Sequence, residues 1–265
     1  MSQNTRFPTL FLSHGAPNLA LHNSAAREFL ESYGRQLGKP KAIVVSTAHF
    51  ETGAPALTAD KQPEMIYDFG GFERELYQMT YKAPGSPELA AHAGALLDQA
   101  GFKSSQVTHR GYDHGTWVPL KLLYPDADVP VVQISIQPHA GAAHHVALGR
   151  ALAPLRDEGV LLVGSGTATH NLHEFFRGGY NADSQSPKWV TEFANWLHDK
   201  VEAGSLDDIV NYRQRAPFAK ENHPTEDHFL PLPFAFGAAG EGAKGKRVHS
   251  SHQFGIMMMD AYTFD

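Results

Sequence analysis

Ala42-Ile43-Val44-Val45-Ser46-Thr47-Ala48-His49 is a run of apolar, largely β-branched residues that ends in a histidine. Consecutive apolar positions mean that both faces are covered, the mark of a strand buried inside a parallel sheet. Residues 9–12, 131–136 and 160–163 repeat the pattern and are read as further strands. Amphipathic stretches with helix signals separate them, over residues 24–37, 87–99, 141–157, 188–203 and 226–236. Ser86-Pro87 is a start signal, with serine as N-cap and proline in the first turn. This alternation predicts an α/β fold, a single domain with a mostly parallel central sheet flanked by helices. Residues 178–187 read as one loop, 248–259 as a last strand-like segment, and 1–265 as a single catalytic domain.

Composition narrows the function. The chain of 265 residues is 42% hydrophobic and 19% charged, enough apolar material for a sizeable core. A formal charge of -6 and scattered basic residues argue against a nucleic-acid partner. No apolar run reaches the roughly 20 residues of a membrane helix, and residues 1–6 do not resemble a signal peptide, so the expectation is a cytoplasmic protein without a membrane partner. With no cysteine, disulfides and thiolate ligands are excluded, and a transition metal must sit on nitrogen and oxygen.

Histidine is the unusual residue, with 16 present. Three share one context. Leu10-Phe11-Leu12-Ser13-His14-Gly15 ends a strand, as does Val44-Val45-Ser46-Thr47-Ala48-His49, and Leu161-Leu162-Val163-Gly164-Ser165-Gly166 runs on to His170. In open parallel sheets ligands bind beyond the carboxyl ends of the strands, so these imidazoles would gather at one edge. Two more stand in dense segments. Asp113-His114-Gly115 pairs an acid with a histidine between turn residues, which suits proton transfer but also suits an Asp N-cap before an apolar helix. His223-Pro224-Thr225-Glu226-Asp227-His228 reads as a helix start with Thr225 as N-cap, placing His228 in the first turn. His139, His144 and His145 are expected on the exposed side of an Ala-rich helix. Neither a P-loop nor a dinucleotide-binding glycine fingerprint is present, and Gly164-Ser165-Gly166 lacks the full nucleophile-elbow pattern.

Together, Phe11-Leu12-Ser13-His14-Gly15-Ala16-Pro17, Tyr67-Asp68-Phe69-Gly70-Gly71-Phe72, Asp113-His114-Gly115-Thr116-Trp117, His170-Asn171-Leu172 and Pro224-Thr225-Glu226-Asp227-His228 form an ordered set. That set resembles the class III extradiol (LigB-like) dioxygenase superfamily, most closely its 4,5-DOPA dioxygenase-like branch. The resemblance implies one divalent metal ion on His14, His49 and His228, with His170 a fourth ligand or an acid–base group and His114 a second acid–base residue. It also implies a small-molecule catechol and O2 as substrates. Ring cleavage by this family expects Fe(II). Many members use two histidines and a glutamate, whereas here the third position is His228, and an all-histidine set suits Zn(II) as well. Asp68, Phe69 and Phe72 are either pocket residues or a turn packed on the core. The competing readings are a zinc hydrolase on the same histidines and a binding protein that has kept the fold without catalysis.

Overall fold

A computed structural model describes residues 6–265. Its centre is β1 (Thr9–Ser13), β2 (Ala42–Glu51), β5 (Val131–Ile136) and β6 (Val160–Gly166), which pair in parallel in the order β5-β2-β6-β1. Both margins reverse direction. On one side β3 (Ala56–Thr58) runs antiparallel to β5 and carries β4 (Ser105–Val107). On the other, β10 (Ala261–Phe264) runs antiparallel to β1 and carries β7 (Gly245–His249). The expected α/β fold with a mostly parallel sheet and flanking helices is what forms.

Alternation along the strands explains the two helical layers. Ile43, Val45, Leu161 and Val163 face one way, into a core shared with Leu30 of α1 (Ala25–Leu37) and Val118 of α3 (His114–Leu123). Val44, Val132, Ile134 and Leu162 face the other way. There they meet Leu97 of α2 (Pro87–Gln99), Leu148 of α4 (Gly141–Leu152) and Phe234 of α10 (Pro231–Ala239). Ser24 caps α1 by accepting from the Arg27 N–H, and Ser86 caps α2 by accepting from Leu89. A third core beneath α6 (Lys188–Ala203) is formed by Phe193, Leu197, Tyr212 and Phe229 with Tyr262 and Phe264 of β10. Three short helices, α7 (Leu206–Val210), α8 (Tyr212–Arg215) and α9 (Ala219–Asn222), lead from α6 back toward α10.

Four sequence expectations are corrected. The helix over residues 141–157 ends at Leu152, and Ala153–Glu158 tightens to a 3-10 turn at Pro154, which has no N–H for an α-helical bond. The helix over 226–236 begins only at Pro231. Pro231 and Pro233 are tolerated in a first turn and nowhere deeper, so residues 226–230 form turns and Thr225 is not the N-cap. His145 is fully buried: its Nε2 accepts from the Gln137 N–H and its Nδ1–H donates to Gly141 O. The segment 248–259 is not one strand. It holds the end of β7 and a small hairpin of β8 (His252–Gln253) and β9 (Met257–Met258), and the sheet is completed by β10 beyond it.

Candidate active site

The four parallel strands all point their carboxyl ends to one edge, and the histidines collect there. His14 follows β1, His49 stands near the end of β2, and His170 lies beyond β6. His114 is the first residue of α3, whose N-cap is Asp113. His228 sits in the turn before α10. That turn lies directly on β6, where a Cβ on Gly166 would come within 2.1 Å of the His228 carbonyl oxygen. The ring centroids of His14, His49 and His228 form a triangle of 5.0, 4.9 and 5.3 Å. His114 is 4.0 Å from His49, and His170 stacks on His228 at 3.6 Å and 10°. Gly115 belongs to the same packing, since a Cβ there would lie 2.8 Å from the His49 ring and 3.2 Å from that of His14.

Hydrogen bonding orients the rings. Ser165 donates its hydroxyl to Gly115 O, so its oxygen accepts from His14 Nδ1–H at 3.0 Å and leaves His14 Nε2 without a proton. His228 Nδ1–H donates to the Asp227 carboxylate. His49 presents Nδ1 to Asp68 Oδ2 at 3.7 Å, and its Nε2 lies 3.1 Å from His14 Nε2. Burial, and then the neighbouring imidazoles with His49 first, holds His14 well below the usual imidazole pKa. Burial followed by His114 does the same for His49, and burial followed by His228 for His170. Burial alone would raise the Asp227 carboxyl, but its bond to His228 outweighs burial and holds it well below the usual carboxylate range.

Imidazole nitrogens gathered this closely could hold a metal ion. Two nitrogens bound to one ion at about 2.1 Å and roughly right angles would stand about 3 Å apart, close to the His14–His49 separation. Ligand atoms of His14, His49 and His114 all lie within 4.8 Å of one another, as do those of His170, Asp227 and His228. These two groupings divide the expected trio. His228 nevertheless stands beside the other two, its ring centroid 5.3 Å from that of His14 and 4.9 Å from that of His49. Glu226, beside the trio in sequence, is committed to Arg213 at 2.7 Å.

Asp68 joins two of the histidines. Its Oδ1 accepts the His114 backbone N–H at 2.9 Å and lies 3.0 Å from His114 Nδ1, off the hydrogen-bonding direction, so that Nδ1 lacks an aligned partner. Burial acts to raise the Asp68 carboxyl, and His114 more than reverses this. Asp113 is wholly buried behind the site. Its carboxylate accepts from Thr47 Oγ1, the Thr116 N–H and Arg110, and Arg110 also donates to His49 O. Burial, the largest influence, raises the Asp113 carboxyl.

Over the histidines opens a cavity of about 550 Å³. His49, His114, His170, His228 and Asp68 line its polar end, and Phe69, Phe72 and Pro17 one apolar wall. Leu172, Phe175 and Phe176 of α5 (Leu172–Gly178) also line it, together with Phe254 and Met257 of the β8–β9 hairpin. The structure thus brings His14, His49, His114, His170 and His228 together, and Asp68, Phe69 and Phe72 face the pocket. Sequence reasoning missed Ser165 and Asp227, which orient two of the imidazoles, and the wall from α5 and Phe254. Asp227 beside His228 was a usable signal; Ser165 reaches His14 only through strand pairing.

The family model described as the catalytic LigB subunit of aromatic ring-opening dioxygenase matches residues 8–264. A Beta vulgaris protein named 4,5-DOPA dioxygenase extradiol is 45% identical over 97% of this chain and 96% of its own length. An Escherichia coli (strain K12) protein of the same name is 40% identical over 89% of this chain and 86% of its own. The crystal structure of an uncharacterized Escherichia coli K12 protein superposes with a TM-score of 0.80 at 33% identity, covering 97% of this chain and 99% of that one. The ordered motifs, the sheet edge on which their histidines meet and these likenesses over nearly the whole chain agree, and the chain belongs to the LigB family of aromatic ring-opening dioxygenases.

Proposed function

We propose that this ring-opening dioxygenase cleaves catechols in the extradiol mode at one divalent ion, Fe(II) during turnover, held by the Nε2 atoms of His14, His49 and His228. The observation that carries the proposal is the convergence of three imidazoles, each with its Nδ1 facing Ser165, Asp68 or Asp227, beside an aromatic-walled cavity that His49 and His228 line. A carboxylate behind a ligating histidine fixes the tautomer and raises ligand basicity. Fe(II) there would supply open coordination positions and the redox chemistry that brings a diol and dioxygen together.

The chain's own residues then handle protons. His114 accepts one from a catechol hydroxyl, with the Asp68 carboxylate beside its Nδ1 stabilising the imidazolium. His170 serves on the opposite side. Stacked flat on His228, its in-plane lone pairs run alongside those of His228 instead of converging with them, which suits a proton carrier better than a fourth ligand. Phe69 and Phe72 hold the ring and exclude water. The relatives' names make 4,5-DOPA one substrate to try. Apo-protein loaded anaerobically with Fe(II), then given O2 and a panel of catechols, is expected to take up O2 and release a yellow semialdehyde product. Neither signal with any catechol would reject ring cleavage. Zn(II), which the all-histidine set also accommodates, has no redox chemistry and is expected to give no turnover.

A further inference from the structure

We infer that Arg110 is a positioning residue for this site: bonded at once to the His49 backbone and to Asp113, it fixes His49 and His114 relative to one another. The inference rests on the ring-cleavage reading, in which His49 holds the metal and His114 moves a proton. His49 stands where the sheet no longer holds its own strand. The pairing of β2 with β6 ends at Thr47, and its pairing with β5 passes from Ser46 to Glu51 without the residues between. The His49 peptide groups must therefore find partners outside the ladder. Its N–H donates to Thr47 Oγ1 at 3.3 Å, and its carbonyl accepts from Arg110 at 2.9 Å. The same guanidinium nitrogen donates to Asp113 Oδ2 at 3.0 Å, while Asp113 Oδ1 accepts from Thr47 Oγ1 at 2.8 Å. The contacts close a ring that runs from His49 through Thr47, Asp113 and Arg110 back to His49.

That ring reaches His114 through one peptide bond. Asp113 caps α3 by accepting from the Thr116 N–H, and His114 is the next residue. The two imidazoles so supported lie 4.0 Å apart, centroid to centroid. Asp113 is buried, and a buried carboxylate without a counter-charge is strongly unfavourable; Arg110 is the cation paired with it. Arg110 is itself held in place. Its guanidinium lies 4.2 Å over the Phe50 ring. On one side of it His109 takes a φ of 63°, in the left-handed region, and on the other a Cβ on Gly111 would come within 2.4 Å of the Glu64 carbonyl oxygen. Arg110 is not among the residues lining the cavity over the histidines, so it acts on their geometry and not on the substrate.

The test measures zinc affinity of the apo-protein by isothermal titration and, with Fe(II), kcat and KM on the best catechol of the panel. Arg110→Met keeps the length of the side chain and its contact with Phe50 but cannot donate. It is expected to bind zinc about tenfold more weakly, the low end of what the outer partners of a ligand contribute. Its kcat should fall about 10–100-fold with KM little changed, since a reacting group displaced by about 1 Å costs roughly 10²-fold. Arg110→Lys restores a charged donor and is expected to recover most of both losses. Thr47→Val, which removes the hydroxyl on the other side of the His49 peptide, should shift both quantities in the same direction and decides the matter if Arg110→Met does not fold. Because the ring of contacts joins both imidazoles, an unchanged zinc affinity or an unchanged kcat in either folded variant would overturn the inference. So would a folded Arg110→Lys no better than Arg110→Met. If the unaltered protein opens no catechol, the ring-cleavage reading falls, and the zinc measurement alone decides whether Arg110 holds His49.

Discussion

Two histidine-rich regions lie beyond strands of the same parallel sheet, and they use their imidazole nitrogens differently. In the first, His14, His49 and His228 have Nδ1 facing a hydroxyl or carboxylate and Nε2 turned inward. In the second, after β5, every nitrogen of His145 is tied to backbone, through the Gln137 N–H and Gly141 O, and His144 Nε2 meets Gln137 Oε1 at 2.9 Å. Burial lowers His145 to a pKa of about 4, so it too is a buried neutral imidazole. Burial and neutrality are thus shared between the regions. The difference is that the second region's nitrogens meet backbone or amide groups, whereas in the first the Nε2 atoms of His14 and His49 face each other.

Substitutions can break that comparison. The largest expected effect is from His14→Ala, which removes one of the three proposed ligands. Metal affinity should fall by more than the roughly 10–100-fold that loss of an outer partner costs, with turnover abolished; isothermal titration with Fe(II) or Zn(II) measures it. His114→Ala is expected to keep the metal and lose about 10²–10⁴-fold in kcat, the usual worth of a positioned acid–base group. Undiminished kcat would remove it from proton transfer. Asp227→Asn should weaken metal binding by about 10–100-fold, since it replaces the carboxylate behind His228 with a neutral amide.

The second region should respond in stability alone. His145→Ala leaves the Gln137 N–H and Gly141 O unpaired and is expected to cost about 1–3 kcal/mol, seen as a lower Tm with unchanged metal affinity. A change in affinity would show that the two regions are coupled. Stability should also depend on pH. His145 at about 4 and His223 at about 3, both lowered chiefly by burial, remain neutral in the folded chain while the unfolded imidazole takes a proton near 6.5. Their contribution is fully present above about pH 6.5 and is lost as pH falls toward those folded values, which denaturation at pH 7 and pH 5 would measure.

Much of the fold was readable because β2, β5 and β6 each carry a largely apolar run rich in Val, Ile and Leu, which buried parallel strands favour. The reversed margin was not readable. Ala261-Tyr262-Thr263-Phe264 is short, and its place beside β1 is set by long-range pairing. At the site, His14, His49 and His170 could be read from strand endings. His228 could be singled out, but its seat was misplaced, because the helix signals of Thr225 and Glu226 were overruled by Pro231 and Pro233 downstream. His145 was misjudged for a related reason. An Ala-rich helix has weak amphipathic contrast, so its buried side is decided by what packs on it.

The most direct test is anomalous diffraction at the iron edge from crystals of the Fe(II)-loaded protein. The account predicts one peak bonded to the Nε2 atoms of His14, His49 and His228 at about 2.1 Å, with His114 and His170 outside bonding distance. A peak centred on His170, Asp227 and His228, or none among these residues, would contradict it.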